Sequence, residues 1–167
     1  MPRFPDIQFQ KHDIEDVRLE KLRRLMQMVA DLDRSGESLV QPYTPVWTAA
    51  TSNPSLGNGS LTGRYSVRGK YVFATVRLAP GGTTTFGTGA WFFSLPFIPS
   101  SEIVYTGAAK VLDAGTNIRT GVVETRTDGT ARCQVFIDSD IAAIDSAKPM
   151  TWVSGDILTF SLPYFAV

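Results

Sequence analysis

The side chains able to do acid–base or metal chemistry are few and poorly placed for it. There is one histidine, His12, within a charged N-terminal stretch. Everything after residue 40 must work without an imidazole, which removes Ser-His-Asp triads, histidine-ligated zinc and histidine general bases from that part. A single cysteine, Cys133, excludes an internal disulfide and a cysteine zinc site. In Arg132-Cys133-Gln134-Val135-Phe136-Ile137 it alternates with Val135 and Ile137, as a thiol facing a core from a strand would. No Gly-rich loop is followed by Lys and Ser or Thr, so a P-loop is excluded, and Gly81-Gly82-Thr83-Thr84-Thr85 reads as a hairpin or loop.

Carboxylates are the remaining route to catalysis. Beyond residue 40 they are Glu102, Asp113, Glu124, Asp128, Asp138, Asp140, Asp145 and Asp156. Glycoside hydrolysis needs two of them facing each other across a cleft. Most stand at turn signals, where Asp hydrogen-bonds its own backbone, and turn chemistry is the favoured reading. Asp138-Ser139-Asp140 offers oxygens suited to calcium but lacks the spacing of a full binding loop. No catalytic residue, metal or cofactor is expected. Trp47, Trp91 and Trp152, with Tyr43, Tyr65, Tyr71 and Tyr105, are candidate stacking faces for a sugar ring, although at this density most must be core.

The elements that hold these residues fall into two parts of different chemistry. Residues 1–40 carry 15 of the 32 charged side chains and only two aromatics, Phe4 and Phe9. Residues 1–12, with Pro2 and Pro5, read as an extended arm. Residues 13–36 read as a helical stalk with Asp13 as N-cap and Gly36 as stop. Within it Leu22, Leu25, Val29 and Leu32 follow the 3-4-3 spacing of a coiled-coil seam, and these are the predicted oligomerisation residues. Leu19 and Met26 widen the stripe, which suits three helices better than two. The seam holds about two clean heptads, too few to be stable alone, so any association must also involve the following domain. An amphipathic helix folded onto its own head is the competing arrangement.

Residues 37–45 read as a linker and 46–167 as a β head. Val72, Ala74, Val76 and Leu78 alternate with Tyr71, Phe73, Thr75 and Arg77, and Leu158, Phe160, Leu162 and Tyr164 repeat the pattern. Turn signals recur at Asn53-Pro54, Arg68-Gly69-Lys70, Asp128-Gly129 and Gly155-Asp156, with Asp128-Gly129 the clearest hairpin. Short strands at this spacing predict a sandwich or barrel, and the fold class taken forward is mainly β, an antiparallel, jelly-roll-like β-sandwich preceded by a coiled-coil helix. A short helical turn is expected within 138–148. Trp91-Phe92-Phe93-Ser94-Leu95-Pro96 is apolar on both faces, which implies that a neighbouring subunit or a loop of the same chain covers the second one. The apolar end Tyr164-Phe165-Ala166-Val167 is expected to be buried in the core or between subunits. The net charge of +0 argues against nucleic acid as partner. The start Met1-Pro2-Arg3-Phe4-Pro5-Asp6 has no apolar signal region and no stretch is long enough to span a bilayer, so synthesis in a cytoplasm without membrane insertion is expected.

Thr44-Pro45-Val46-Trp47, the run from Asn53 to Tyr65, Thr84-Thr85-Phe86-Gly87, Gly89-Ala90-Trp91-Phe92-Phe93-Ser94-Leu95-Pro96 and Trp152-Val153-Ser154-Gly155-Asp156-Ile157-Leu158 together resemble head domains of tailed-phage virion proteins, often from phages of actinobacteria. The resemblance covers about residues 44–162 and leaves out the arm and helix. It implies a trimeric protein attached to a tail or capsid, with no catalytic residues to carry over. The expectation is a homotrimeric virion surface protein, anchored to other virion proteins by its arm, as a tail fibre or receptor-binding knob or as a capsid decoration or head fibre. A host-surface glycan is a candidate ligand. The competing class is a lectin-like or carbohydrate-active domain acting on wall polysaccharide.

Overall fold

The computed structural model describes residues 11–35, 39–138 and 140–167, with helical side chains described for residues 16–29. The chain divides between Glu37 and Ser38 into two compact units. Helix α1 (Lys11–Ser35) forms the first. Its 25 residues give a rod of about 37 Å at 1.5 Å per residue. It starts two residues before the expected cap, so Asp13 stands in the first turn. Glu20 and Arg24 form an exposed i,i+4 ion pair at 3.6 Å, worth a few tenths of a kcal/mol. The expected arm, residues 1–10 above all, lies outside the described residues.

The second unit has nine strands: β1 (Gln41–Tyr43), β2 (Trp47–Ala49), β3 (Ser60–Arg68), β4 (Tyr71–Ala79), β5 (Trp91–Ser94), β6 (Thr106–Asp113), β7 (Asn117–Thr125), β8 (Arg132–Ile137) and β9 (Ile157–Phe165). They form one sheet in the order β1-β3-β4-β9-β6-β7-β8-β5-β2, with every neighbouring pair antiparallel. The two edge strands are consecutive in sequence, and only Thr44, Pro45 and Val46 join them. Four Cα steps span at most about 14 Å. A nine-stranded sheet can meet that limit only by curling until its edges approach. A single half-barrel sheet therefore stands where a two-sheet, jelly-roll-like sandwich was expected, and β1 occupies part of the segment expected as linker.

The curl gives each long strand one dry and one wet face. Val72, Ala74, Val76 and Leu78 of β4 are buried, as are Leu158, Phe160, Leu162 and Tyr164 of β9, while their alternates face outward. Val111, Val123, Cys133, Val135 and Ile137 extend this core across β6 to β8. The three tryptophans close it. Trp47 meets Trp91 edge-to-face at 4.7 Å, and Trp91 lies 5.1 Å from Trp152. Two of the indole N–H groups donate to carbonyls, Trp91 Nε1 to Phe86 and Trp152 Nε1 to Asp145 and Lys148. Tyr43 lies over Gly63, where an added Cβ would fall 2.3 Å from the tyrosine ring, so the edge strand seats only on a glycine. At the β3–β4 turn Gly69 takes a left-handed φ of 61°, which a tight hairpin requires.

Local readings of the turns divide. The Asp128-Gly129 hairpin joins β7 to β8 as expected. The helical turn expected within 138–148 is replaced by bends. Asp140 and Asp145 accept from the amides of Ala142 and Ala147, and Ile144 pairs outward with Val135 and Trp91, so the backbone donors are taken by side chains and strands before a helix can use them. In the two-sided apolar strand, Trp91, Phe93 and Leu95 are buried, while the Arg132 guanidinium of the adjacent strand lies 4.4 Å above the Phe92 ring. The second face thus receives a same-chain cover at Phe92. Tyr164 is buried in the core, while Phe165 and Val167 are exposed in the single chain.

Candidate functional site

Several of the carboxylates beyond residue 40 are engaged at turns or in ion pairs. Asp128 accepts from the Thr130 amide and hydroxyl and from Arg132 at 2.6 Å. Those bonds hold its carboxyl well below the usual carboxylate range, the Thr130 hydroxyl contributing most. Asp138 pairs with Arg119 at 2.5 Å and Asp140 with Lys148 at 3.2 Å. Amide bonds from Ala142, followed by Lys148, lower the Asp140 carboxyl as well. Asp156 is buried and accepts from Ala114 N at 2.9 Å and Val153 N at 2.7 Å. These acids tie turns together, the role their positions suggested. Among the described residues no three of His, Cys, Asp and Glu converge as metal ligands. Cys133 is buried, its thiol directed at the Phe93 carbonyl, and burial pushes its pKa far up. It is a core residue, as its alternation indicated.

Most of the aromatics named as stacking faces are structural. Trp47, Trp91 and Trp152 are core, and burial raises the Tyr43 and Tyr164 phenols. Tyr65 packs edge-to-face with Tyr43 at 5.8 Å. Tyr71 is exposed, and with Phe73 and Phe165 it forms an aromatic group on the outer sheet face, Tyr71 and Phe165 meeting at 5.7 Å. Phe73 and Phe165 were not among the aromatics read as stacking faces. Their signal was their parity, because Phe73 shares a face with Thr75 and Arg77, opposite the apolar Val72–Leu78 series.

Two surfaces are built for contact. The first is on α1. Leu22, Leu25 and Val29 are 57%, 58% and 65% exposed, and Leu19 and Met26 beside them are also exposed. The Leu32 side chain lies outside the described residues. Together Leu19, Leu22, Leu25, Met26 and Val29 make an apolar stripe on an otherwise charged helix.

The second is the outer face of β3, β4, β9 and β6. Register places Arg64 beside Thr75, Ser161 and Ala108, and Thr62 beside Arg77, Thr159 and Lys110. Arg68, Tyr71 and Phe165 form another row, and Ser66, Phe73 and Pro163 the row between. Arg64, Arg68, Arg77 and Lys110 are all exposed. Among the described residues, none of the four has a carboxylate at ion-pair distance. Thr62, Arg64, Thr75, Arg77 and Thr159 line an open depression of about 230 Å³ there.

Over 124 residues, 73% of its length, the chain is 33% identical to the Mu-like prophage FluMu defective tail fiber protein of Haemophilus influenzae. The likeness is to part of a phage tail fibre. The chain spans 20% of that protein's length. It matches no protein-family model and no solved structure. Among the described residues no helix is long and apolar enough to cross a membrane.

Proposed function

We propose that the chain is a structural component of a phage tail, a homotrimer in which the α1 helices pair along Leu22, Leu25 and Val29 and the β unit is displayed for attachment. The observation that carries this reading is the 33% identity to a tail fibre protein over most of the chain. That relative's name favours a tail position over the capsid decoration or head-fibre role the sequence also allowed. The exposed seam of α1 supports self-association, since burying three such side chains in a bundle gains about 1.5–3 kcal/mol each. No catalytic role is assigned, and five of the eight acids of the β unit serve amides or cations. The N-terminal arm, with Phe4 and Phe9, is assigned to contact other virion proteins.

Particle labelling tests the location: gold-conjugated antibody against the chain should decorate tails in electron micrographs, and decoration confined to heads would overturn the tail assignment. Mass measurement on the purified chain tests the assembly. A trimer is expected at micromolar concentration, and Leu25→Asp with Val29→Asp should weaken it while leaving the β signal in circular dichroism intact. A monomeric wild-type chain would refute the trimer.

A further inference from the structure

The geometry points to the outer face of β3, β4, β9 and β6 as a binding surface for an anionic polysaccharide. Residues 38–167 hold nine Lys and Arg against eight Asp and Glu, so the unit as a whole is nearly neutral. Neutrality is not local. Arg119, Arg132 and Lys148 are paired with Asp138, Asp128 and Asp140, and Arg126 donates to Gln134 at 2.9 Å. The four cations of the outer face are left over, with Lys70 in the β3–β4 turn. β3, β4 and β9 contain no Asp or Glu, and β6 contains only Asp113, its last residue. A solvated sheet face normally interleaves both signs; this one offers cations alone.

Spacing and neighbours then select the ligand. Arg64 and Arg77 are diagonal neighbours on adjacent strands, so their guanidinium groups reach the same depression from two sides. Lys110 stands two strands beyond Arg77, about 10 Å away across Thr159. Cations at such intervals suit a polymer with acidic groups along it better than one small anion. Arginine's planar fork takes carboxylate or phosphate oxygens two at a time. Between and beside the cations lie Thr62, Ser66, Thr75, Thr159 and Ser161, short hydroxyls that donate to or accept from sugar hydroxyls. At the other end of the face, Tyr71, Phe73 and Phe165 present aromatic surface on which the apolar face of a sugar ring can lie. Nucleic acid would also use cations and aromatics, but a nearly neutral unit lacks the wide positive field that holds so dense a polyanion. The inference takes its biological setting from the tail reading, while the binding itself is a property of the surface.

The test uses the full chain and defined polymers: polygalacturonate against its methyl ester, and phosphomannan against unphosphorylated mannan, measured by interferometry at two salt concentrations. At least one acidic polymer should bind at least tenfold more tightly than its neutral counterpart, and more weakly at higher salt. The Arg64→Ala, Arg77→Ala double variant should lose at least tenfold in affinity, and Phe73→Ala about fivefold, with unchanged tryptophan fluorescence. Lys110→Glu, an exposed single change, gives a second reading of the same face and should also weaken binding. Equal binding of acidic and neutral polymers, no binding of either acidic polymer, or affinity untouched by the arginine changes would overturn the proposal. Tighter binding of duplex DNA would replace it with a nucleic-acid surface, and a changed oligomer mass in the arginine variant would make the face a subunit interface. Particle labelling decides the tail reading separately, so either can fail without the other.

Discussion

Asp156 should be among the most costly polar residues to alter, and the isosteric change should be nearly as harmful as truncation. Its carboxylate is buried immediately before β9, where its two oxygens serve two amides, Oδ1 for Ala114 and Oδ2 for Val153. It thereby fastens the β6–β7 turn to the start of β9. A hydrogen bond to a charged group contributes about 1.5–3 kcal/mol. Ala114 and Val153 are themselves exposed, so their amides regain some water when the acceptor goes, and the lower half of that range applies to each. Asp156→Ala should therefore cost about 3 kcal/mol. Asp156→Asn keeps one acceptor but turns an amide NH2 toward the other N–H, and should cost about 2 kcal/mol. All three tryptophans lie in the β core, so urea unfolding of the full chain followed by tryptophan fluorescence reports on this unit alone. With a slope of about 2 kcal/mol/M, the midpoint should fall by about 1.5 M for Ala and 1 M for Asn. Asp145→Asn is the contrast: Asp145 gives one oxygen to Ala147 N at 2.7 Å, which an amide oxygen can replace, so its midpoint should barely move. An Asp156→Asn midpoint within about 0.3 M of wild type would refute the two-amide account.

Other consequences are sharp enough to measure. Gly63→Ala should destabilise the β unit by about 1–3 kcal/mol in urea unfolding, because its Cβ meets the Tyr43 ring, and the cost should largely vanish in a Tyr43→Ala background. The Cys133 thiol should resist Ellman's reagent in the folded chain and react fully in denaturant, since burial disfavours its thiolate. Asp128 has a folded pKa depressed below its unfolded value, so the stability it adds is complete above the ordinary carboxylate range and is lost as pH falls through and below it. Asp128→Asn should accordingly flatten the acid side of a melting-temperature profile without steepening the alkaline side.

The parts of this fold that local alternation specifies were legible. Period-two runs located β4 and β9 and assigned their dry faces residue by residue, the 3-4-3 spacing located α1, and Asp128-Gly129 located a hairpin. Long-range pairing was not legible, because alternation states which face is dry but not which strand lies alongside. β4 pairs with β9 some eighty residues later, and that pairing, with β2 added beyond β5, makes one curled sheet where two were expected. The same blindness hid the cationic face. Arg77 and Lys110 are 33 positions apart and become neighbours only because β9 runs between their strands. The density of aromatics indicated that most are core, and the three tryptophans close it, although the sequence did not say which aromatics stay outside.

The arrangement of the sheet edges bears on how such a unit can associate. An open sheet ordinarily invites pairing through the unpaired backbone of its edge strands. Here both edges are only three residues long; β1 contains Pro42, which has no N–H to offer, and the Ala49 amide of β2 already donates to the Asn53 side chain at 3.1 Å. Neither edge strand is by itself a long template for another strand. Recognition by this unit is then a matter for side chains, as proposed above for the outer face.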